Sequence, residues 1–81
     1  MRETILEILS ESNAKIRINA DKNLLEERLI DSFEIVNIVM KLEDAFHIEI
    51  NPELIVSANF QTVDSIVKLV QDIVEKENGE I

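Results

Sequence analysis

An Asp-Ser-Phe tripeptide at positions 31–33 joins a nucleophilic hydroxyl to a carboxylate on one side and an apolar ring on the other. It lies between a leucine-rich segment, residues 24–30, and the longest helical pattern of the chain, residues 32–46. A serine at a helix start is commonly a cap, but Asp31 already fits that position. A negatively charged group attached to the first turn is stabilised by the helix N-terminus. Ser32 can therefore be a covalent attachment point, and the plain alternative is a serine that only helps to start the helix.

The chain is not expected to perform catalysis by itself. General acid–base chemistry usually recruits histidine or paired carboxylates in a cleft, and His47 is the only histidine. It follows the end of the helix that begins at Ser32, where we expect a surface residue interacting with the helix dipole. The two residues would lie about 22 Å apart at the helical rise per residue, which excludes a catalytic triad. Because cysteine is absent and the acids do not match a calcium loop, no metal site is predicted.

The composition predicts one small helical domain spanning residues 1–81. Hydrophobic residues make up 46% of the chain and are almost all aliphatic, and a single Gly and a single Pro argue against a turn-rich β fold. No apolar stretch approaches the roughly 20 residues that span a bilayer. Acidic residues close to the start and the lack of a long apolar segment there predict no signal peptide. A cytoplasmic protein without membrane insertion is the resulting expectation.

The negative charge is concentrated in the middle of the chain. The total is −9, and residues 26–53 hold eight acidic and two basic residues, whereas residues 1–25 hold four of each. Nucleic acid and anionic membranes would both be repelled by this charge. The partners that it favours are proteins with basic docking surfaces, attracted to the central segment.

Three helical patterns and one short turn predict an all-α fold, a small four-helix bundle with three main helices. The main helices are expected at residues 3–12, 32–46 and 63–76, with Asn13 ending the first in left-handed geometry and Thr62 capping the last. Glu34 is expected to complete a capping-box-like pair with Asp31. One core-facing stripe on the second helix is predicted at Ile35, Val39, Leu42 and Phe46. A short helical turn is expected at residues 52–55, and residues 77–80 are expected to be a fraying tail.

The segment between the first two helices predicts a long ordered loop. Residues 15–19 alternate with period two, as a strand does, but the chain offers no second strand to pair with them. A connection of this length without secondary structure is usually ordered only if it has a function or packs against the hydrophobic core. Its apolar residues are expected to pin it across the helices: Ile16, Ile18, Leu24, Leu25, Leu29 and Ile30.

Three segments together resemble the acyl and peptidyl carrier proteins. They are the tripeptide at 31–33, the sequence Glu-Asp-Ala-Phe-His-Ile-Glu-Ile at 43–50 and the sequence Asn-Phe-Gln-Thr-Val-Asp-Ser-Ile at 59–66. The resemblance covers residues 3 to about 76. It implies that Ser32 carries 4′-phosphopantetheine and that Asp31 is the acid that precedes the modified serine. The Asp31 carboxylate could help the modifying enzyme hold a metal or a base. The resemblance also implies that partner enzymes contact one surface. The residues implied for that surface are Phe33, Glu34, Val36, Met40, Glu43 and Asp44.

The resemblance also implies a function without catalysis. An acyl or aminoacyl group is carried as a thioester on the 4′-phosphopantetheine thiol and delivered to partner enzymes, which include a phosphopantetheinyl transferase and enzymes that load and transfer the cargo. The chain is expected to act as a monomer. The plainer interpretations are that the acidic residues form only a solvated face and that Val36 and Met40 belong to the core.

The cargo is left open by the sequence. Carrier proteins often have a glycine shortly before the Asp-Ser pair, but Arg28-Leu29-Ile30 stands here, and Phe33 replaces the commoner leucine. The sequence Leu-Ile-Asp-Ser-Phe at 29–33 is closer to the motif of D-alanyl carrier proteins. Asn37 and Lys41 depart from fatty-acid carriers. The alternatives are therefore a D-alanyl or peptidyl carrier, or an acidic helical adaptor that is never modified.

Overall fold

Three α-helices, α1 (Arg2–Ser12), α2 (Ser32–Phe46) and α3 (Val63–Asn78), form most of the protein in the computed structural model, which describes residues 1–78. Three short 3₁₀ helices connect them, and these are Ala14–Asn19, Pro52–Leu54 and Ser57–Asn59. No strand occurs in the described part of the chain. The predicted small helical bundle is therefore confirmed, including the short turn that begins at Pro52.

The core is aliphatic apart from one ring, Phe60, which is fully buried. The predicted α2 stripe lies in the core, except that Phe46 is only half-buried, and Ile38 adds a fully buried residue beside it. Large-to-small changes at such positions cost about 2–5 kcal/mol, a large fraction of the stability of a small domain. The residues that are completely buried come from every part of the chain: Ile5, Leu9, Ile16, Leu24, Ile38, Leu42, Phe60, Val63, Ile66 and Val70.

The connection between α1 and α2 is ordered, but its first part is a 3₁₀ helix. Asn13 is extended, with φ −156°, and its side chain accepts a hydrogen bond from the Lys15 N–H at 3.0 Å. The predicted left-handed end of α1 is therefore wrong, because Asn13 instead caps the helix that follows. Ile16 is buried, whereas Ile18 is 81% exposed. The prediction that Ile18 pins the loop is wrong, since the two side chains project from different sides of a 3₁₀ turn.

A single helical turn with a cap at each end precedes α2. The Asn23 side chain accepts hydrogen bonds from the N–H groups of Leu25 and Glu26 at 3.1 and 3.0 Å. At the other end the Leu29 N–H donates to the Leu24 oxygen at 2.8 Å, across a residue with positive φ, Arg28 (φ 56°). This six-to-one bond is the mark of a Schellman motif, whose left-handed position is usually glycine. Arg28 therefore occupies a glycine-favouring backbone position.

α2 ends in the same way. His47 has φ 54° and ψ 48°, and the next N–H, that of Ile48, donates to the Glu43 oxygen at 3.2 Å. Ile48 is buried, which supplies the apolar contact that accompanies this motif. His47 is exposed, as its predicted surface position at the helix end requires.

We expect His47→Gly to raise the free energy of unfolding by about 0.5–1 kcal/mol. A residue with a β-carbon in left-handed geometry costs roughly 1–2 kcal/mol, and glycine removes this cost. Part of the gain in stability is lost because glycine also raises the conformational entropy of the unfolded chain. Urea denaturation measures the difference. Glu49→Gly is the matched control, because Glu49 is exposed and has no positive φ, and it should lower stability. Equal losses in both variants would contradict the assignment of strain to His47.

α3 begins with a reciprocal cap and extends beyond its predicted end. The Ser65 N–H donates to Thr62 Oγ1 at 3.0 Å, and the Thr62 N–H donates to Ser65 Oγ at 3.1 Å. The predicted Thr62 cap is confirmed. The helix continues to Asn78, so the predicted tail is wrong at 77 and 78, because glutamate and lysine around position 76 are good helix formers. Positions 79 and 80 lie outside the described residues.

None of the helices within residues 1–78 combines the length and apolar character that crossing a membrane requires.

Candidate functional site

α2 begins with a side-chain cap supplied by Asp31. The backbone of Asp31 is extended, with φ −124° and ψ 177°, and its Oδ1 accepts a hydrogen bond from the Glu34 N–H at 2.8 Å. This confirms the predicted cap. The predicted capping-box partner is wrong, because Glu34 makes no return bond to Asp31 and its buried Oε2 has no partner. The carboxylate of Asp31 is thus fixed directly before Ser32.

Ser32 is exposed at the first position of α2, and its hydroxyl bonds to no other described residue. The other serines are placed differently. The Ser10 hydroxyl is buried and Ser12 is half-buried, while the Ser65 hydroxyl donates to the Thr62 oxygen at 2.9 Å. Ser57 is exposed, but it starts a 3₁₀ helix of only three residues. Ser32 alone joins an accessible hydroxyl to the N-terminus of a long α-helix.

The chain leading into the site is held from two sides. The Asn13 side-chain amide donates to the Leu29 oxygen at 3.2 Å, which ties the segment to the end of α1. The Leu24 N–H donates to the Gln61 oxygen, which ties it to the approach of α3. Leu29 and Ile30 are both buried. These contacts anchor the backbone immediately before Asp31. The caps that Asn13 and Asn23 supply were not predicted from the sequence, because their partners are backbone groups that periodicity does not reveal.

An exposed apolar stripe runs along α2 from the end that carries Ser32. Phe33 is 80% exposed, Val36 56% and Met40 57%. Residues three and four positions apart lie on one face of a helix, so the three side chains form a continuous strip. The interpretation of Val36 and Met40 as core residues is wrong. Solvent-exposed apolar side chains that lie three and four residues apart on one helix face are available for contact with another protein.

The three acids implied for the partner-facing surface differ in their surroundings. Asp44 is exposed, whereas Glu34 and Glu43 are half-buried. Glu43 Oε2 accepts a hydrogen bond from the Ile50 N–H at 2.9 Å, which holds the chain that leaves α2. Part of the predicted docking charge therefore has a structural role. His47 lies at the opposite end of α2 from Ser32.

The family comparison agrees with this geometry. A family model described as the phosphopantetheine attachment site matches residues 1–70. The chain belongs to this family of phosphopantetheine-binding carriers. The carrier is similar to the D-alanyl carrier protein of Bacillus mycoides (strain KBAB4), with 27% identity over 74 residues that cover 89% of this chain and 94% of the relative. The D-alanyl carrier protein of Staphylococcus xylosus is 28% identical over 74 residues, with 89% and 95% covered. No solved structure matches the carrier significantly.

The family carries 4′-phosphopantetheine covalently on a serine, and the residues of this carrier fit that group. Attachment requires a hydroxyl that a transferase can reach and room for a bulky arm, and Ser32 meets both requirements because it is exposed. The N–H groups at the start of α2 stabilise the negative charge of a phosphodiester at this position. The Oδ1 atom of Asp31 accepts the capping hydrogen bond, and the second carboxylate oxygen takes no part in that bond.

We expect Glu43→Ala to lower the free energy of unfolding of the carrier by about 1–2 kcal/mol, because the Ile50 N–H loses a charged acceptor. Glu43→Gln keeps an acceptor oxygen and should lose less than half as much. Asp44→Ala is the control, since this exposed neighbour makes no such bond, and its change should stay within about 0.5 kcal/mol. Urea denaturation of the three variants is the measurement. Equal effects at the two positions would show that the bond to Ile50 contributes nothing.

Proposed function

We propose that the chain is a carrier whose Ser32 receives 4′-phosphopantetheine and whose cargo, carried as a thioester on the arm, is D-alanine. The observation that carries the first part is the exposed Ser32 hydroxyl at the capped start of α2. The alignment with the two D-alanyl carrier proteins supports the choice of cargo. The Leu-Ile-Asp-Ser-Phe sequence at 29–33 supports it as well.

The protein's own residues present the site and perform no bond-making on the cargo. When bound, the arm supplies a terminal thiol on which an acyl or aminoacyl group forms a thioester. Asp31 fixes the first turn of α2, and the buried Leu29 and Ile30 hold the preceding backbone. The cargo stays tethered to a surface that partner enzymes bind, so its effective concentration at their active sites is high without free diffusion.

The partner surface that we propose is α2 itself. Its apolar strip of Phe33, Val36 and Met40 would fix the register of each complex, and acids such as Asp44 would attract the basic docking surfaces of the transferase and the loading enzyme. Electrostatic attraction acts mainly on the association rate, whereas desolvated apolar contacts act mainly on dissociation. One surface can therefore serve several enzymes in turn.

Two measurements on the same sample test this proposal. The chain is first incubated with coenzyme A and a broad-specificity phosphopantetheinyl transferase, and its intact mass should increase by one phosphopantetheine. The modified chain is then offered radiolabelled D-alanine, with ATP and a D-alanine-activating ligase. We expect a labelled thioester that hydroxylamine releases, and much less label from L-alanine. No mass increase would favour an unmodified adaptor, and modification without D-alanine loading would overturn the cargo alone.

A further inference from the structure

Arg28 occupies a backbone position at which glycine is the favoured residue. It lies at the left-handed residue of the Schellman motif before α2, with φ 56°. A β-carbon is unfavourable there, and glycine avoids the conflict. Residues that keep such a conformation against this cost often serve a function at the site where they lie.

The charge of Arg28 is not neutralised within the described part of the chain. Residues 26–53 contain two basic residues, Arg28 and Lys41. Lys41 Nζ lies 3.1 Å from Glu11 Oε2, whereas Arg28 is exposed and forms no ion pair with any residue between 1 and 78. The neighbouring Glu27 is directed to Lys22, at 3.9 Å. Arg28 is therefore an isolated cation in the most acidic segment of the protein.

Arg28 also lies within reach of any enzyme that acts at Ser32. Ser32 lies four positions after Arg28 in the chain, so their Cα atoms are at most about 14 Å apart. A standard protein interface covers about 800 Å² on each partner, and a circular patch of that area has a radius of about 16 Å. A partner centred on Ser32 therefore places part of its surface against Arg28.

We propose that Arg28 is a partner-selectivity residue that weakens the docking of enzymes whose surface is basic opposite this loop. Discrimination of this kind uses an unfavourable contact against unwanted partners alongside the favourable contacts made to the intended ones. The cation reduces the attraction that the surrounding acids exert on a basic surface, and it does so beside the attachment serine. The proposal rests on the proposed function, because it takes Ser32 as the point where partners act.

The test compares modification rates by a phosphopantetheinyl transferase with a basic docking surface. Arg28→Gln removes the charge and keeps a side chain of similar length at the same backbone position. Arg28→Lys keeps the charge. Lys76→Gln is the distant control, because Lys76 lies in the same surface depression as Glu49 and Glu53, beyond the end of α2 opposite Ser32. All variants are made in the whole 81-residue chain, and thermal melting checks that each is folded.

We expect Arg28→Gln to raise kcat/KM for modification about two- to fivefold at low salt, with most of the gain lost at about 0.5 M salt. Arg28→Lys and Lys76→Gln should remain close to the wild-type value. Equal rates for Arg28→Gln and the wild type would overturn the inference, and so would an equal gain from Lys76→Gln, which would indicate net charge alone. Failure of the wild-type chain to be modified at all would instead overturn the proposed function, and this inference with it.

Discussion

Replacing Ser32 with alanine should abolish phosphopantetheinylation and leave the helical fold in place. In the proposed function the arm is bonded to the Ser32 hydroxyl oxygen, and no other serine of the described chain is both exposed and at the start of an α-helix. The cost in the free energy of unfolding should be about 1 kcal/mol or less, because Asp31 rather than Ser32 caps α2. Intact-mass measurement after incubation with coenzyme A and a transferase reports modification, and circular dichroism reports the fold.

Ser57→Ala provides the matched control, since Ser57 is the other exposed serine that begins a helical turn. It should be modified as completely as the wild type. Modification that persists in Ser32→Ala would contradict the assignment of the site. Peptide mapping of the arm to Ser10, Ser12, Ser57 or Ser65 would contradict it equally.

The bounds of α2 could be predicted from the sequence because several local signals agree there. Asp31 marks the start, the apolar residues recur with helical spacing, and the break before Pro52 limits the end. The assignment of Ser32 as the attachment residue used the same signals together with the resemblance to carrier proteins, and it stays a prediction. The exposure of Val36 and Met40 could not be decided, because a flanking apolar stripe has the same pattern whether it is buried or free.

The features that the sequence did not reveal depend on contacts between distant or backbone groups. The bond from the Ile50 N–H to Glu43 joins α2 to the connection that follows it, and its geometry is known only from the fold. The left-handed residues at the two Schellman motifs, Arg28 and His47, carry no glycine signal. The alternation that suggested a strand around Ile16 is overridden by the Asn13 cap of a 3₁₀ helix. Local patterns thus determine helices more completely than connections.

Shortening Met40 to alanine should accelerate the dissociation of partner enzymes without weakening the free protein. Met40 is 57% exposed, so its loss should change the free energy of unfolding by no more than about 0.5 kcal/mol. In a complex that covers the strip, the same side chain would be desolvated near the centre of the interface. Truncating a central apolar contact costs about 1–2 kcal/mol, which corresponds to roughly a tenfold loss of affinity, mostly through the dissociation rate. Surface plasmon resonance with the transferase measures both rates.

The control for Met40→Ala is Ile18→Ala, which shortens an apolar side chain that is even more exposed but lies on the first 3₁₀ helix rather than on α2. Its dissociation rate should match that of the wild type. If Met40→Ala instead destabilises the free protein substantially while modification proceeds at the wild-type rate, Met40 acts in the core and the docking surface on α2 is refuted. If both variants dissociate faster to the same degree, the partner recognises general apolar exposure and the strip from Phe33 to Met40 has no special role.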